Sequence, residues 1–396
     1  MLGQMIYTNG RLVFPDRVAD GLSLRVTGGK IATIAEKITP EHGEEVVDLN
    51  GNFLAPGFID LHVHGALGRD TMEGTPEAFR AICDYHASGG TTSLCLTIVT
   101  APLDEIVRVV RAIETAMPEI PQLRGAHVEG PFISREKRGA QCAEFIVEPT
   151  AKRVNHLLEN STAIKRLTLA PELPGALELI SRLTKSEIAA SGGHSNAWDE
   201  EARAAFDRGM RQVTHTFNCM SSMHRRDGER VAGLLEFALS EPAIFCELIA
   251  DGHHVSTTLM RMAYQAKGAA GICLVTDATA GAGLPNESHF QLGGAECVVH
   301  DGACWLADGS ALAGSAARMI DLVRQMVAQV GAPVHEAIRM ATETPARAMG
   351  WKNKGLLAEG KDADLVVLSP ELEVLTFAIG KGARAIPSSA PRASDL

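Results

Sequence analysis

From about residue 55 to residue 350, short runs of apolar residues alternate with stretches of ten to fifteen residues whose apolar positions recur at helical spacing. Eight such runs predict strands: Phe58–His64, Thr92–Ile98, Gly125–Glu129, Arg166–Ala170, Glu187–Gly192, Gln212–Thr216, Ala243–Ile249 and Gly271–Thr276. Helices are expected after them, among others over Pro76–Ala87, Leu103–Met117, Asp199–Asp207, Thr257–Lys267 and Ala316–Val330. Eight successive βα units of this kind predict an α/β chain folded as a (β/α)8 TIM-like barrel, with its chemistry at the C-terminal ends of the strands.

The two chain ends have a different texture. Over the first fifty residues, short alternating or β-branched stretches (4–8, 21–26, 30–34, 44–49) are separated by Asn-Gly and Gly-Gly turns, and a similar pattern returns after Met349. Chain termini commonly lie close together. One small β-sandwich is therefore expected from residues 1–54 and 351–396, with the barrel, 55–350, inserted between them.

Composition narrows the class of partner. The chain has 396 residues, a formal net charge of −11 and no Lys/Arg-rich run, which argues against nucleic acid and for a small-molecule substrate. Its eight cysteines form no CxxC pair, the N-terminus has no signal-like apolar region, and no long apolar run would cross a membrane. The expectation is a cytoplasmic protein with reduced thiols.

The chemistry lies at the predicted strand ends. Strand one closes in His62-Val63-His64, and a period of two turns both imidazoles to one side, into the barrel mouth. Strand three ends in Glu129 before a Gly-Pro turn, strand five runs into His194, strand six into His215 and strand eight into Asp277. A lone HxH pair is equally well explained as polar core or surface histidines, and each of the other residues alone is better explained as a polar loop or core group. Five of eight strand ends carrying His, Glu or Asp point instead to a metal-dependent hydrolase. A divalent ion held by Glu129, His194 and His215 would acidify water and polarise a carbonyl, with Asp277 as the carboxylate that shuttles the proton.

Several stretches carry a resemblance: Pro56-Gly-Phe-Ile-Asp-Leu-His-Val-His-Gly, Gly125-Ala-His-Val-Glu-Gly-Pro-Phe, Ser191-Gly-Gly-His-Ser-Asn-Ala, Thr214-His-Thr-Phe-Asn-Cys-Met, Ile249-Ala-Asp-Gly-His-His-Val and Leu274-Val-Thr-Asp-Ala-Thr. Together they resemble the amidohydrolase superfamily and, within it, the N-acetylglucosamine-6-phosphate deacetylases. The resemblance implies removal of the acetyl group from an N-acetylated amino-sugar 6-phosphate. It implies Glu129, His194 and His215 as ligands of the principal metal, and His62 and His64 as ligands of a second. One or two ions per subunit are expected, zinc first, with iron, cobalt or manganese also suited to such ligands. Asn218, the neighbouring Cys219 and His254 match the family's substrate-contacting positions. Arg226 falls where the family uses an arginine from a partner subunit to grip phosphate, which implies a homodimer. One departure stands out: the family's Gly-x-His segment, whose histidine contacts substrate, reads Gly139-Ala140-Gln141 here, so Gln141 takes the place of that contact.

Two alternatives differ in visible ways. A cyclic amidase would bridge two metals with a lysine at the end of strand four, where this chain reads Leu167-Thr-Leu-Ala-Pro-Glu, with Lys165 at the start. A catalytically silent scaffold would have lost ligands that are all present here.

Overall fold

The computed structural model describes residues 4–380 and 382–385. Eight parallel strands form the barrel: Phe58–Val63, Thr91–Ile98, Leu123–Glu129, Ile164–Leu169, Ala189–Gly192, Gln212–Val213, Phe245–Leu248 and Ile272–Leu274, paired in chain order. The first and last meet through a parallel bridge from Val63 to Ala278. Asp60 reinforces that seam, its carboxylate accepting from the Thr276 hydroxyl at 2.6 Å and from the His62 N–H at 3.2 Å. These strands read as near-continuous apolar runs because helices cover their outer faces. Leu94, Leu96, Val128 and Leu167 are buried against Ile106, Val110, Ile113 and Leu179 of the surrounding helices.

The helices start and stop where side-chain chemistry directs. Helix Pro76–Ser88 has Thr75 as its N-cap, accepting from the Ala78 N–H, with proline in its first turn. The helix Thr257–Lys267 ends at Gly268. The expected helix over 316–330 is shorter and less regular: Met319–Gln325 is α-helical and Met326–Val330 winds as a π-turn ending at Gly331, whose φ of 84° favours glycine.

Strands from both chain ends share one eight-stranded sheet. Leu365–Leu368 pairs antiparallel with Phe53–Pro56, which in turn lies parallel to part of Met5–Val13. Leu12, Leu24, Ile31, Leu54 and Leu365 form its small core. Residues 1–3, 381 and 386–396 of the two expected end segments lie outside the described residues.

A four-stranded antiparallel sheet (His289–Leu292, Ala295–His300, Ala303–Leu306, Leu312–Ser315) is inserted between the eighth barrel strand and its helix. It was not expected, although Gly293-Gly294 and Asp301-Gly302 are hairpin-turn pairs. Among the described residues, no helix is long and apolar enough to cross a membrane.

Candidate metal centre and active site

The strand ends bring six side chains together at the barrel mouth. His62 Nε2 and His64 Nε2 lie 3.1 Å apart, each within 3.3 Å of Asp277 Oδ1. His194 Nε2 and His215 Nε2 are also 3.1 Å apart, each 3.1 Å from Glu129 Oε1. Glu129 joins the two halves: its Oε1 is 3.5 Å from His62 Nε2 and its Oε2 is 3.4 Å from His64 Nε2. All six side chains are buried.

The backbone is held in an unfavourable region to achieve this. His194, His215 and Asp277 have φ of 47°, 31° and 49°, values that side chains with a Cβ rarely adopt. Such strain concentrates at functional sites, where the surrounding structure enforces it.

The rings are also oriented. His194 Nδ1–H donates to the Lys137 carbonyl at 2.8 Å and His215 Nδ1–H to the Asn218 carbonyl at 3.2 Å. His62 Nδ1–H points to Glu247 Oε2 at 3.4 Å. With Nδ1 so engaged, these three imidazoles turn Nε2 into the cluster, the nitrogen that would be free to bind a metal.

Charge within the cluster follows from these contacts. Burial alone would raise the pKa of Asp277, yet the His62 and His64 rings beside it hold it at about 2. Burial would lower that of His64, yet Asp277 and Glu129 raise it to about 9. Burial opposes ionisation of Glu129 too, and His62 and His194 hold it well below the usual carboxylate range. The cluster therefore draws positive charge into its centre.

Two groups of three, His62/His64/Asp277 and Glu129/His194/His215, each bring their donor atoms within 4.8 Å of one another. Ligands on one tetrahedral zinc with bonds of about 2.0–2.2 Å stand roughly 3.3–3.6 Å apart. The contacts of 3.1–3.5 Å are close to that spacing, so the residues present fit one or two divalent ions.

A pocket of about 260 Å³ opens onto the cluster. Asn218, Cys219, His254 and Gln141 line it, together with Gly139, Leu292 and Leu312. His254 is fixed by Asp251, whose Oδ2 lies 2.7 Å from Nδ1. Burial works against a proton on His254, but the Asp251 carboxylate prevails and raises its pKa. Gln141 faces the metal cluster: its Nε2 donates to Glu129 Oε2 at 2.6 Å. Arg226 is not among the residues lining the pocket of its own chain. It lies on the hairpin His224–Arg226/Glu229–Val231, paired with Glu200 and placed over the Trp198 ring.

The comparisons with known proteins agree with this geometry. The model of the amidohydrolase family matches residues 53–386. The chain belongs to the amidohydrolase family. Among its amidohydrolase relatives is the N-acetylglucosamine-6-phosphate deacetylase of Lysinibacillus sphaericus, 36% identical over 87% of this chain and 88% of the relative. The N-acetylgalactosamine-6-phosphate deacetylase of Escherichia coli O157:H7 is 34% identical over 92% and 95% of the two chains. The crystal structure of N-acetylglucosamine-6-phosphate deacetylase from Pasteurella multocida superposes with a TM-score of 0.90 at 31% identity, covering 96% of this chain and all of that one.

Three parts of the site were missed in the sequence. Glu247 orients His62 and accepts from the His215 N–H at 3.0 Å. Arg166 is buried in the barrel interior as its ion-pair partner. The inserted sheet supplies Leu292 and Leu312 to the pocket wall. For the first two a signal existed: a charged residue inside a strand that is otherwise apolar is rarely buried without a partner.

Proposed function

We propose that this amidohydrolase cleaves the acetamide of N-acetylglucosamine 6-phosphate, giving glucosamine 6-phosphate and acetate. The observation that carries this reading is the six-residue cluster at the pocket floor, with Asp277 lining the pocket and also touching both His62 and His64. A bound divalent ion, zinc first, supplies Lewis acidity at the acetyl carbonyl. The chain's own groups do the rest. Asp277, held ionised, takes the proton of the water that attacks the acetyl carbon and returns it to the nitrogen as the C–N bond breaks. His254, its Nδ1 engaged by Asp251, presents Nε2–H to the anionic substrate, and Asn218 and Cys219 form the wall beside it.

The galactosamine-type relative makes N-acetylgalactosamine 6-phosphate the second candidate. A homodimer in which Arg226 reaches the phosphate in the partner's pocket is supported by its exposed hairpin and its absence from its own pocket lining. Work in the cytoplasm is supported by eight free cysteines.

Acetate release from N-acetylglucosamine 6-phosphate, N-acetylgalactosamine 6-phosphate and unphosphorylated N-acetylglucosamine tests the reading. The first should be fastest. Equal rates with and without phosphate would remove Arg226 and His254 from the phosphate role. Asp277→Asn should abolish turnover while the Glu129/His194/His215 group keeps its metal, and normal turnover would end the assignment.

A further inference from the structure

The two oxygens of Glu129 are not equivalent. Oε1 faces His194, His215 and His62, whereas Oε2 faces His64 and accepts from Gln141 Nε2 at 2.6 Å. The direction of the Gln141 amide is settled by its neighbours at both ends. Its Oε1 accepts from the Thr100 backbone N–H at 2.8 Å, which only an oxygen can do, and a carboxylate accepts only from the NH2 end. Thr100 also holds the other side of the same residue, its hydroxyl donating to the Glu129 carbonyl at 3.3 Å. Thr100, two residues beyond the second barrel strand, thus tethers the glutamate twice, through the backbone directly and through the carboxylate by way of Gln141.

A carboxylate that serves two groups of ligands can turn about its last torsion and exchange its oxygens. A short hydrogen bond on one oxygen stops that turn and leaves the remaining lone pairs aimed at the histidines. We infer that Gln141 is a positioning residue for Glu129, locking the carboxylate so that Oε1 serves the Glu129/His194/His215 group and Oε2 the His62/His64/Asp277 group, and that its amide does not contact the sugar. Each end of the amide already makes a bond within the protein, and these two bonds fix its orientation. This rests on the reading of Glu129 as a metal ligand. Residues that orient metal ligands typically contribute about 10–100-fold to metal affinity.

The experiment is a calorimetric titration of zinc into chelator-treated protein for the wild type, Gln141→Met and Gln141→Asn, with KM for N-acetylglucosamine 6-phosphate measured on the same preparations. Methionine keeps the length and removes the donor; asparagine keeps the amide but withdraws it from Oε2 by one methylene. Gln141 sits on a half-buried loop, so both variants should fold, which a thermal melt verifies. Zinc affinity should fall about 10–100-fold in both variants, with KM at saturating metal within twofold of the wild type. Unchanged zinc affinity with a raised KM would overturn the inference and make Gln141 a sugar contact. An asparagine variant that binds zinc like the wild type would overturn it too, because polarity rather than reach would then suffice. A wild type that binds no zinc would instead overturn the metal reading on which it rests.

Discussion

Arg166 and Glu247 form an ion pair sealed inside the barrel, with the second oxygen of Glu247 facing His62 Nδ1 and the His215 N–H. Arg166 also donates to the Ser191 hydroxyl at 2.8 Å. Glu247 is held at about 2: burial opposes its charge, and Arg166 and His62 outweigh burial. The polar interior of this barrel is therefore a support for the histidines as well as a packed core.

Removing one partner leaves a buried charge uncompensated. Arg166→Met should cost about 3–5 kcal/mol, and adding Glu247→Gln should recover a large part of it. Chemical denaturation of the two single variants and the double variant measures the coupling. Additive losses would show that the pair acts as two independent groups.

Metal removal should be felt in stability as well as in activity. Stripping the cluster with a chelator leaves Glu129 and Asp277 facing four imidazoles with no shared cation. Zinc restored at a hundredfold excess over its Kd should return about 2.7 kcal/mol. Thermal melts of stripped and reloaded protein check this, and identical melts would argue against binding at the cluster.

A pH effect on stability should come from His86. Burial pushes its pKa down to about 4, outweighing its bond to the Gly65 carbonyl, while the unfolded value is 6.5. Between those values the unfolded chain binds a proton that the folded chain does not, so this contribution is complete above pH 6.5 and is lost as pH falls toward 4. The slope from this one group reaches about 1.4 kcal/mol per pH unit. His86→Gln keeps a donor for Gly65 without the titration. Its denaturation midpoint should fall less steeply than the wild type's across that window.

Gly139 is the close-approach point of the loop over the site. Its φ is +56°, and a Cβ there would lie 2.7 Å from Cys219 Sγ and 3.6 Å from the His194 ring. Gly139→Ala should displace the loop that carries Lys137, whose carbonyl orients His194. The left-handed backbone should cost the variant about 1–2 kcal/mol of stability, and kcat/KM should fall as the His194 ring loses its alignment. Steady-state kinetics on the variant gives the answer directly.

What could be read from the chain depended on periodicity. The barrel strands were legible because parallel strands covered by helices are uninterrupted apolar runs, and His62 and His64 because a period of two admits one orientation for both. The meeting of Glu129, His194, His215 and Asp277 followed from barrel geometry. Gln141 was a different matter. Its bonds to Thr100 and Glu129 join two loops and a strand end that are apart in sequence, and no local pattern encodes such a contact. Arg166 and Glu247 each stand out as a charge in an apolar strand, but their pairing spans 81 residues and no local pattern names the partner. The inserted sheet did announce itself in its Gly-Gly and Asp-Gly turns, but it interrupts a βα unit where the repeating pattern predicts a helix.

That insert leaves the barrel and rejoins it almost at one point. The chain departs after Asp277 and returns at Ser315, whose N–H donates to the Asp277 carbonyl at 2.8 Å and which pairs with Ala278. Because entry and exit are stitched together, the segment between them behaves as a graft. Its wall residues, Leu292 and Leu312, line the pocket from outside the six-residue cluster, and Leu292 packs in one cluster with Val99 and Ala140, the neighbours of Thr100 and Gln141. The wall of the pocket and the seat of its chemistry thus come from different parts of the chain and lean on one another through the loops between them.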